Sequence, residues 1–134
     1  MIVGHGPTPV SWDRGFWESA ARGILSMQRC ETCGRLQFYP RPVCTACFST
    51  QLSWQPVSGT GVVEAFTLVR VPVREAFRPD VPIMLAEIQL REGVRMISRI
   101  VGAPEDGIHV GDEVTVTFLP SADGTSLIPH FRPT

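Results

Sequence analysis

The sequence predicts a mainly β protein in which an N-terminal helix and a small metal-bound ribbon precede a five-stranded barrel. Two observations predict this arrangement. All four cysteines lie in one stretch, "CETCGRLQFYPRPVCTAC" at 30–47, as two CxxC pairs. Five β-rich runs separated by turn residues follow, from about residue 60 onward. We therefore divide the chain into an arm and helix at 1–23, a zinc ribbon at 24–55 and a barrel domain at 56–134.

Composition and charge exclude several classes of function. The 134 residues include twelve basic ones, all arginine, and thirteen acidic ones, for a net charge of -1. The absence of lysine excludes a lysine Schiff base, and the acidic balance makes a nucleic-acid partner unlikely. No apolar run is long enough to span a membrane, and the first twelve residues lack a secretory pattern. We therefore expect a cytoplasmic protein with reduced thiols.

A short aromatic helix is predicted after a Gly- and Pro-rich arm at 1–10. We expect it to begin with Ser11 as the N-cap and to end near Gly23 after about three turns. Three large aromatic residues fall on or beside one face of this helix: Trp12, Phe16 and Trp17. Either these rings cover the chain's own core, or they form a face that docks on another chain. Both alternatives require their burial.

The cysteine stretch has the spacing of a metal site. Two thiolates separated by two residues chelate one ion, and two such knuckles supply the four sulfurs of a tetrahedral centre. The expected ligands are Cys30, Cys33, Cys44 and Cys47. Zinc is the default ion and iron is the rival, because four sulfurs suit both. Four cysteine ligands leave no position for water or substrate, so the site is expected to be structural, and no cysteine remains as a nucleophile. None of the three histidines lies in a catalytic or metal-ligand motif.

The five β-rich runs predict a small Greek-key barrel of the OB type. They are residues 62–71, 83–90, 94–101, 113–119 and 126–131. Glu92-Gly93 and Asp123-Gly124 are typical of tight hairpins, while 102–112 forms a longer connection between the third and fourth runs. A plain five-stranded sandwich is the alternative.

The loop at 72–82, "PVREAFRPDVP", is the candidate ligand-binding loop. It combines Arg74, Phe77 and Arg78 with three prolines. Such a loop on a rigid scaffold presents cationic and aromatic groups to an anionic or planar ligand. The alternative is a solvated loop with one aromatic ring packed back on the protein.

Taken in order, these blocks resemble a known family. The aromatic helix, "GILSMQRCETCGRLQFYPRPVCTAC", "GTGVVEAFTLVRVP", "PIMLAEIQLREGVRMISRIVG", "HVGDEVTVTF" and "LIPHFRP" are similar to the zinc-ribbon and OB-fold proteins called domain of unknown function 35, often described as acyl-CoA-associated. The resemblance extends from about Trp12 to Pro133. It implies a rubredoxin-like zinc ribbon followed by an OB-fold domain, with the four cysteines as zinc ligands.

The resemblance also implies a function. Members of this family are accessory subunits of thiolase-like enzymes, including acyltransferases and steroid side-chain aldolases, or are fused to hydratases. The sequence departs from many ribbons at Phe48, where a glycine is common after the second knuckle; Phe48 could extend an apolar contact surface.

We therefore expect a non-catalytic scaffold subunit of lipid or steroid degradation that binds a thiolase-like or aldolase protein as a hetero-oligomer and helps to position an acyl-CoA. The expected partner-binding residues are Trp12, Phe16, Trp17 and Phe48, and the expected ligand-binding residues are Arg74, Phe77 and Arg78. A zinc-ribbon/OB module that binds single-stranded nucleic acid is the alternative, although its groove would need a basic surface. A self-sufficient enzyme is disfavoured.

Overall fold

A computed structural model describes residues 10–134 and confirms the mainly β prediction. The predicted arm at 1–10 lies outside the described residues except for its last residue. Helix α1 is Arg14–Ala21. The ribbon strands are β1 Ser26–Cys30, β2 Leu36–Gln37 and β3 Leu52–Pro56. The barrel strands are β4 Thr60–Val69, β5 Ile83–Leu90, β6 Arg95–Arg99, β7 Glu113–Pro120 and β8 Leu127–Pro133, with a short 3-10 helix at Glu75–Asp80.

Helix α1 is shorter than predicted and begins later. Its N-cap is Asp13, so the prediction of Ser11 was wrong. Residues 11–13 form a turn instead, in which the backbone N–H of Val10 donates to Asp13 Oδ1 at 2.8 Å. The predicted stop at Gly23 is correct: Gly23 has φ +74°, and the N–H groups of Gly23 and Ile24 cap carbonyls of the last turn.

The three-stranded ribbon sheet has the order β2-β1-β3, with both pairs antiparallel. The indole of Trp54 on β3 lies directly against Gly15 of α1, in space that the Cβ of any other residue would occupy. Glycine weakens a helix, but only glycine leaves room for the Trp54 indole at this position. The helix is thereby fixed to the ribbon, and it also contacts β8 of the barrel.

The five-stranded sheet has the order β6-β5-β4-β7-β8. All of its neighbouring strands are antiparallel, and a parallel bridge between Ile100 and Phe131 brings the two edge strands together. This is the nearly closed OB barrel that the run pattern predicts, and it excludes the open sandwich. The connection at 102–112 contains turns and no helix. Gly93 and Gly124 both have positive φ in their hairpin turns, as predicted.

One apolar core extends from the barrel to the helix. Its fully buried barrel members include Val63, Ile88, Val114 and Phe131. Phe16 of α1 and Met27 of β1 belong to the same cluster. The helix and the base of the ribbon are therefore packed on the barrel as one folded unit.

A buried amide network joins the ribbon to the start of the helix. The side-chain amide of Gln28 donates to the carbonyls of Arg41 at 2.9 Å and Trp12 at 3.2 Å, and its oxygen accepts from the N–H of Arg41 at 2.7 Å. Gln37 donates to Gln28 at 2.8 Å and accepts from the backbone N–H of Thr45 at 3.0 Å. Both glutamines are buried. Every polar atom of the two side chains has a partner, so this network orients the ribbon arm against the helix.

We predict that Gln28→Met destabilises the zinc-bound protein by about 1–3 kcal/mol, because the backbone N–H and carbonyl of Arg41 lose their partner and the Gln37 amide keeps only the carbonyl of Val43 as an acceptor. Urea unfolding measures this change. Gln51→Met is the matched control, since Gln51 is exposed and makes no side-chain hydrogen bond among residues 10–134. Equal stability of the two variants would contradict a structural role for the network.

His130 on β8 is a buried neutral histidine. Its Nδ1–H donates to the carbonyl of Ile128 at 2.9 Å, and its Nε2 has no partner among the described residues. Burial lowers the pKa of His130 below the ordinary 6.5, and the positive charge of Arg99 lowers it further. The ring therefore stays neutral in the folded protein at pH values where an unfolded histidine takes up a proton.

We predict that the free energy of unfolding decreases as the pH falls below about 6.5, because the unfolded chain then binds a proton that the folded chain excludes. Above that pH the full contribution is present. His130→Gln should flatten this slope. Urea titrations between pH 7.5 and 5 with saturating zinc compare the two proteins, and identical slopes would contradict the assignment.

Candidate metal centre and neighbouring surfaces

The four cysteines come together at one point, at the tip of the ribbon. Their sulfurs all lie within 4.8 Å of one another, with Cys30 to Cys47 at 3.5 Å and Cys33 to Cys44 at 3.7 Å. A tetrahedral ion with Zn–S bonds of about 2.3 Å places its sulfurs about 3.8 Å apart. No disulfide links them. The donor set and the spacing therefore fit one tetrahedral ion.

The two knuckles have the same backbone geometry. In the first, the N–H of Gly34 donates to the carbonyl of Cys30 at 2.8 Å, and the N–H of Cys30 donates to Arg35 at 2.9 Å. In the second, Phe48 donates to Cys44 at 3.0 Å, and Cys44 donates to Ser49 at 2.9 Å. Backbone N–H groups also point at the sulfurs of Cys30 and Cys44, at 3.4 and 3.3 Å. The chain thus forms two equivalent chelating loops.

Phe48 keeps the second knuckle tight despite its side chain. Gly34, after the first knuckle, has φ +78°, and Phe48, at the equivalent position, has φ +63°. A left-handed conformation is favourable for glycine and costs about 1–2 kcal/mol for other residues. The Phe48 side chain is 76% exposed, so packing within residues 10–134 offsets little of this cost.

Backbone N–H groups and neighbouring thiols shift the pKa values of the cysteines in opposite directions. The backbone N–H of Cys33 lowers the pKa of Cys30 to about 6, and the backbone N–H groups of Cys47 and Ala46 lower the pKa of Cys44. At Cys47 the N–H of Ser49 acts in the same direction, but the neighbouring thiols, Cys30 foremost, and burial outweigh it and raise the pKa to about 12. Four thiolates this close repel one another, and a divalent ion removes that repulsion.

The segment between the knuckles has no hydrocarbon core of its own. Between residues 30 and 51 the buried residues are Cys30, Gln37 and Cys44. Leu36 and Phe38 are only partly buried where they pack against the core, so the bound ion supplies the constraint that apolar packing does not provide near the cysteines. With four sulfurs committed, the centre has no vacant position for substrate, and its role is structural.

The predicted partner-binding residues do not form one surface. Phe16 is 4% exposed and packs edge-to-face on Trp17 with centroids 4.9 Å apart, so it belongs to the alternative in which the helix covers the chain's own core. Trp17 is partly buried against that core. Trp12 is 44% exposed, and Phe48 projects from the ribbon tip. Only Trp12 and Phe48 of this set present large areas to solvent.

The predicted ligand-binding loop is partly neutralised. The guanidinium of Arg78 makes two 2.7 Å hydrogen bonds to the carboxylate of Glu75. The ring of Phe77 lies 5.5 Å from the guanidinium carbon of Arg99, and Arg99 also pairs with Asp80 at 3.3 Å. Arg74 is exposed at the start of the 3-10 helix. The three predicted residues thus lie on one loop, and none of them lines either of the two clefts beside the ribbon arm.

Sequence reasoning missed two clefts beside the ribbon arm. Both are lined by Phe38 and Tyr39, and the larger one is also lined by Arg35 and Arg41. The sequence signal is "RLQFYPRP" within the cysteine spacer, where two arginines flank an adjacent pair of aromatic residues. No local pattern predicts the clefts, because the barrel strands that complete them are remote in sequence.

Across residues 10–134 no helix combines the length and the hydropathy needed to cross a membrane.

We predict that Cys44→Ser abolishes stoichiometric metal binding and exposes the backbone amides of residues 30–51 to solvent exchange, while strands of the barrel stay protected. Metal analysis and hydrogen exchange measure the two effects. Thr50→Ala, an exposed change in the same segment, is the control and should retain the metal. Native protection of 30–51 in the Cys44→Ser variant would show that the metal does not order the ribbon.

Comparisons with known proteins agree with this geometry. Residues 17–53 match the family described as the rubredoxin-like zinc ribbon domain of ChsH2, and residues 54–119 match its C-terminal OB-fold domain. A "DUF35 domain-containing scaffold protein" of Methanothermobacter thermautotrophicus is 33% identical over 95 residues, which are 70% of this chain and 71% of that protein. These matches confirm the zinc ribbon and the OB fold.

Two further similarities cover nearly the whole chain. A "Probable enoyl-CoA hydratase alpha subunit" of Thermomonospora curvata is 34% identical over 129 residues, but the chain spans only 40% of that protein's length. The solved structure titled "Ltp2-ChsH2(DUF35) aldolase" superposes with a TM-score of 0.84 at 30% identity, covering 96% of this chain and 98% of that one. With four sulfurs gathered at a ribbon tip, an OB barrel behind it and these matches along its length, the chain belongs to the DUF35/ChsH2 family of zinc-ribbon and OB-fold scaffold proteins.

Proposed function

We propose that this chain is a non-catalytic accessory subunit that binds a thiolase-like enzyme, of the acyltransferase or steroid side-chain aldolase type, and helps to position its acyl-CoA substrate. The observation that carries the proposal is the superposition, over 96% of the chain, on the structure titled "Ltp2-ChsH2(DUF35) aldolase". A relative in Mycobacterium tuberculosis, named "3-oxo-4,17-pregnadiene-20-carboxyl-CoA hydratase alpha subunit", is 29% identical over 108 residues and supports a place in steroid degradation.

The chemistry of the chain also favours an accessory role. The cysteines are gathered in a closed four-sulfur centre, and the sequence contains no lysine. The described histidines are His109, which is exposed and lies 3.6 Å from Asp112, and the buried His130. Neither is placed beside a nucleophile. Catalysis is therefore assigned to the partner, and the reduced thiols that bind zinc favour a cytoplasmic location.

We place the partner contact at the exposed aromatics. Phe48 combines a left-handed backbone with 76% exposure, so its unfavourable conformation gains little compensating packing from the part of the chain that the structure describes. Strain at an exposed aromatic is typical of a residue retained for binding. The second contact is Trp12, with Trp17 beside it, at the start of the helix. The boundaries at 23/24 and 55/56 would then divide a docking helix, a docking ribbon and a barrel.

The loop at 72–82 is the proposed contact for CoA in the assembled complex. Arg74 is exposed there, and Arg78 could exchange its bond with Glu75 for a phosphate, which forms stronger charge-assisted bonds. Phe77 supports the loop from beneath through its contact with Arg99. The arginines of this loop would help to hold the anionic end of the substrate at the subunit boundary.

Two alternatives lead to different experiments. Single-stranded nucleic-acid binding would give a strongly salt-dependent shift of a labelled oligonucleotide, which the net charge of -1 disfavours. An enzyme acting alone would turn over an acyl-CoA without a partner. A chain that does either, and forms no complex with thiolase-like proteins co-expressed with it, would overturn the accessory role.

We predict that Phe48→Gly separates stability from function. The zinc-bound variant should unfold at the native denaturant concentration or above it, because glycine relieves about 1 kcal/mol of left-handed strain. Its affinity for a thiolase-like partner should fall by about tenfold or more, since the complex loses an aromatic side chain that we expect the interface to bury. Denaturation and native mass spectrometry of the co-expressed pair provide the two measurements.

The control for this variant is Val110→Ala, which removes an exposed apolar side chain from the barrel connection, away from the ribbon. It should leave partner binding unchanged. If the Phe48→Gly variant binds the partner with the affinity of the unchanged chain, Phe48 is not in the interface. If both variants lose the same affinity for the partner, the effect is not specific to the ribbon tip.

A further inference from the structure

Two adjoining clefts share one wall. That wall is formed by Phe38 and Tyr39, whose ring centroids are 4.3 Å apart, and both clefts are lined by these residues. The larger cleft has a volume of about 590 Å³ and lies between the ribbon arm and the β5–β6 hairpin. The smaller one, of about 280 Å³, lies between helix α1, the same arm and strands β6 and β8.

The larger cleft is polar and mainly cationic. Arg35, Arg41 and Arg95 line it, with Glu92 as its acidic residue. The carboxylate of Glu92 accepts hydrogen bonds from the backbone N–H of Ser58 at 2.8 Å and from its hydroxyl at 3.3 Å. Arg95 pairs with a glutamate outside the lining. Arg35 and Arg41 are exposed and make no ion pair with any residue in 10–134, so two guanidinium groups are available for an anion.

The smaller cleft is apolar. Phe16 and Trp17 form its helix side, and Ile97 and Ile128 form much of its barrel side. Ile97 is 52% exposed, which leaves apolar surface uncovered in the isolated chain. Asp13, at the rim, already accepts the N–H of Val10. An uncovered apolar cleft of this size binds hydrocarbon more favourably than water.

We infer that the two clefts form one binding site for an amphiphilic anion: an apolar acyl chain or ring system in the smaller cleft, joined past Phe38 and Tyr39 to a phosphate-bearing head in the larger one. Charge complementarity distinguishes this occupant from an apolar segment of a protein, which would leave Arg35 and Arg41 without a partner. This inference deepens the proposed acyl-CoA role, on which it rests for the identity of the head group. The site belongs to the isolated chain and does not include the loop at 72–82, whose proposed contact with CoA is made in the assembled complex.

The test uses three probes on the purified zinc-bound chain without any partner. Lauroyl-CoA carries both a chain and phosphates, laurate carries the chain and a carboxylate, and CoA carries the phosphates alone. We expect lauroyl-CoA to bind most tightly, by isothermal titration calorimetry, because only this probe fills both clefts. Laurate binding as tightly as lauroyl-CoA, or no binding of lauroyl-CoA, would overturn the inference.

Variants assign each half of the probe to its cleft. The double change Arg35→Ala with Arg41→Ala should weaken lauroyl-CoA and CoA by about tenfold or more and leave laurate less affected. Ile97→Asp should weaken lauroyl-CoA and laurate but not CoA. Arg91→Ala with Arg132→Ala is the matched control, because these arginines are exposed and lie outside both clefts. Equal losses in the two arginine pairs would show nonspecific charge attraction and overturn the site.

The outcomes separate this inference from the proposed function. If the isolated chain binds lauroyl-CoA through Arg35 and Arg41 but forms no complex with a thiolase-like protein, the site stands and the accessory role fails. If the complex forms through Phe48 but the isolated chain does not bind lauroyl-CoA, the accessory role stands and this site fails.

Discussion

Between residues 30 and 51 the fully buried side chains are two cysteines and one glutamine, and Leu36 and Phe38 are only partly buried, so this segment depends on metal–sulfur bonds for much of its order. The hydrophobic effect acts mainly at the base of the ribbon, where Met27 and Leu25 join the core shared with the barrel and Leu36 and Phe38 pack against it. The metal fixes the tip, the amides of Gln28 and Gln37 fix the middle, and the apolar core fixes the base. Without the metal, we expect the tip of the ribbon to lose its order even though the amides and the apolar core remain in place.

These three constraints make the ribbon better suited to binding another molecule than to catalysis. A closed four-sulfur centre has no free coordination position, but it makes a narrow loop rigid without a bulky core. The surface of such a loop can then carry residues that a packed domain would bury. Phe48 is the clearest case, since its left-handed conformation is unfavourable for a residue other than glycine and its side chain gains little from burial. The clefts lined by Phe38 and Tyr39 depend on the same rigidity, because one of their walls is the ribbon arm.

Much of this architecture could be predicted from the sequence, because its signals are local. The CxxC spacing predicts the metal centre, and alternating polarity with Glu92-Gly93 and Asp123-Gly124 predicts the barrel strands and their turns. What escaped prediction is set by contacts between distant residues. The helix begins after Asp13 rather than Ser11 because residues 11–13 form a turn whose Trp12 carbonyl accepts a hydrogen bond from Gln28. Gly15 is present because the indole of Trp54 occupies the space of a side chain there. The clefts join residues 35–41 to strands more than fifty residues away, which no local pattern shows.

We propose that the metal supports a partner-contact surface and takes no part in chemistry. Replacing zinc by cadmium tests it most directly, since cadmium also binds four thiolates but differs in Lewis acidity and size. The account predicts that the cadmium and zinc forms bind a thiolase-like partner with the same affinity and support the same turnover of its acyl-CoA substrate. Normal complex formation with lost turnover in the cadmium form would contradict it and would place the metal in the reaction.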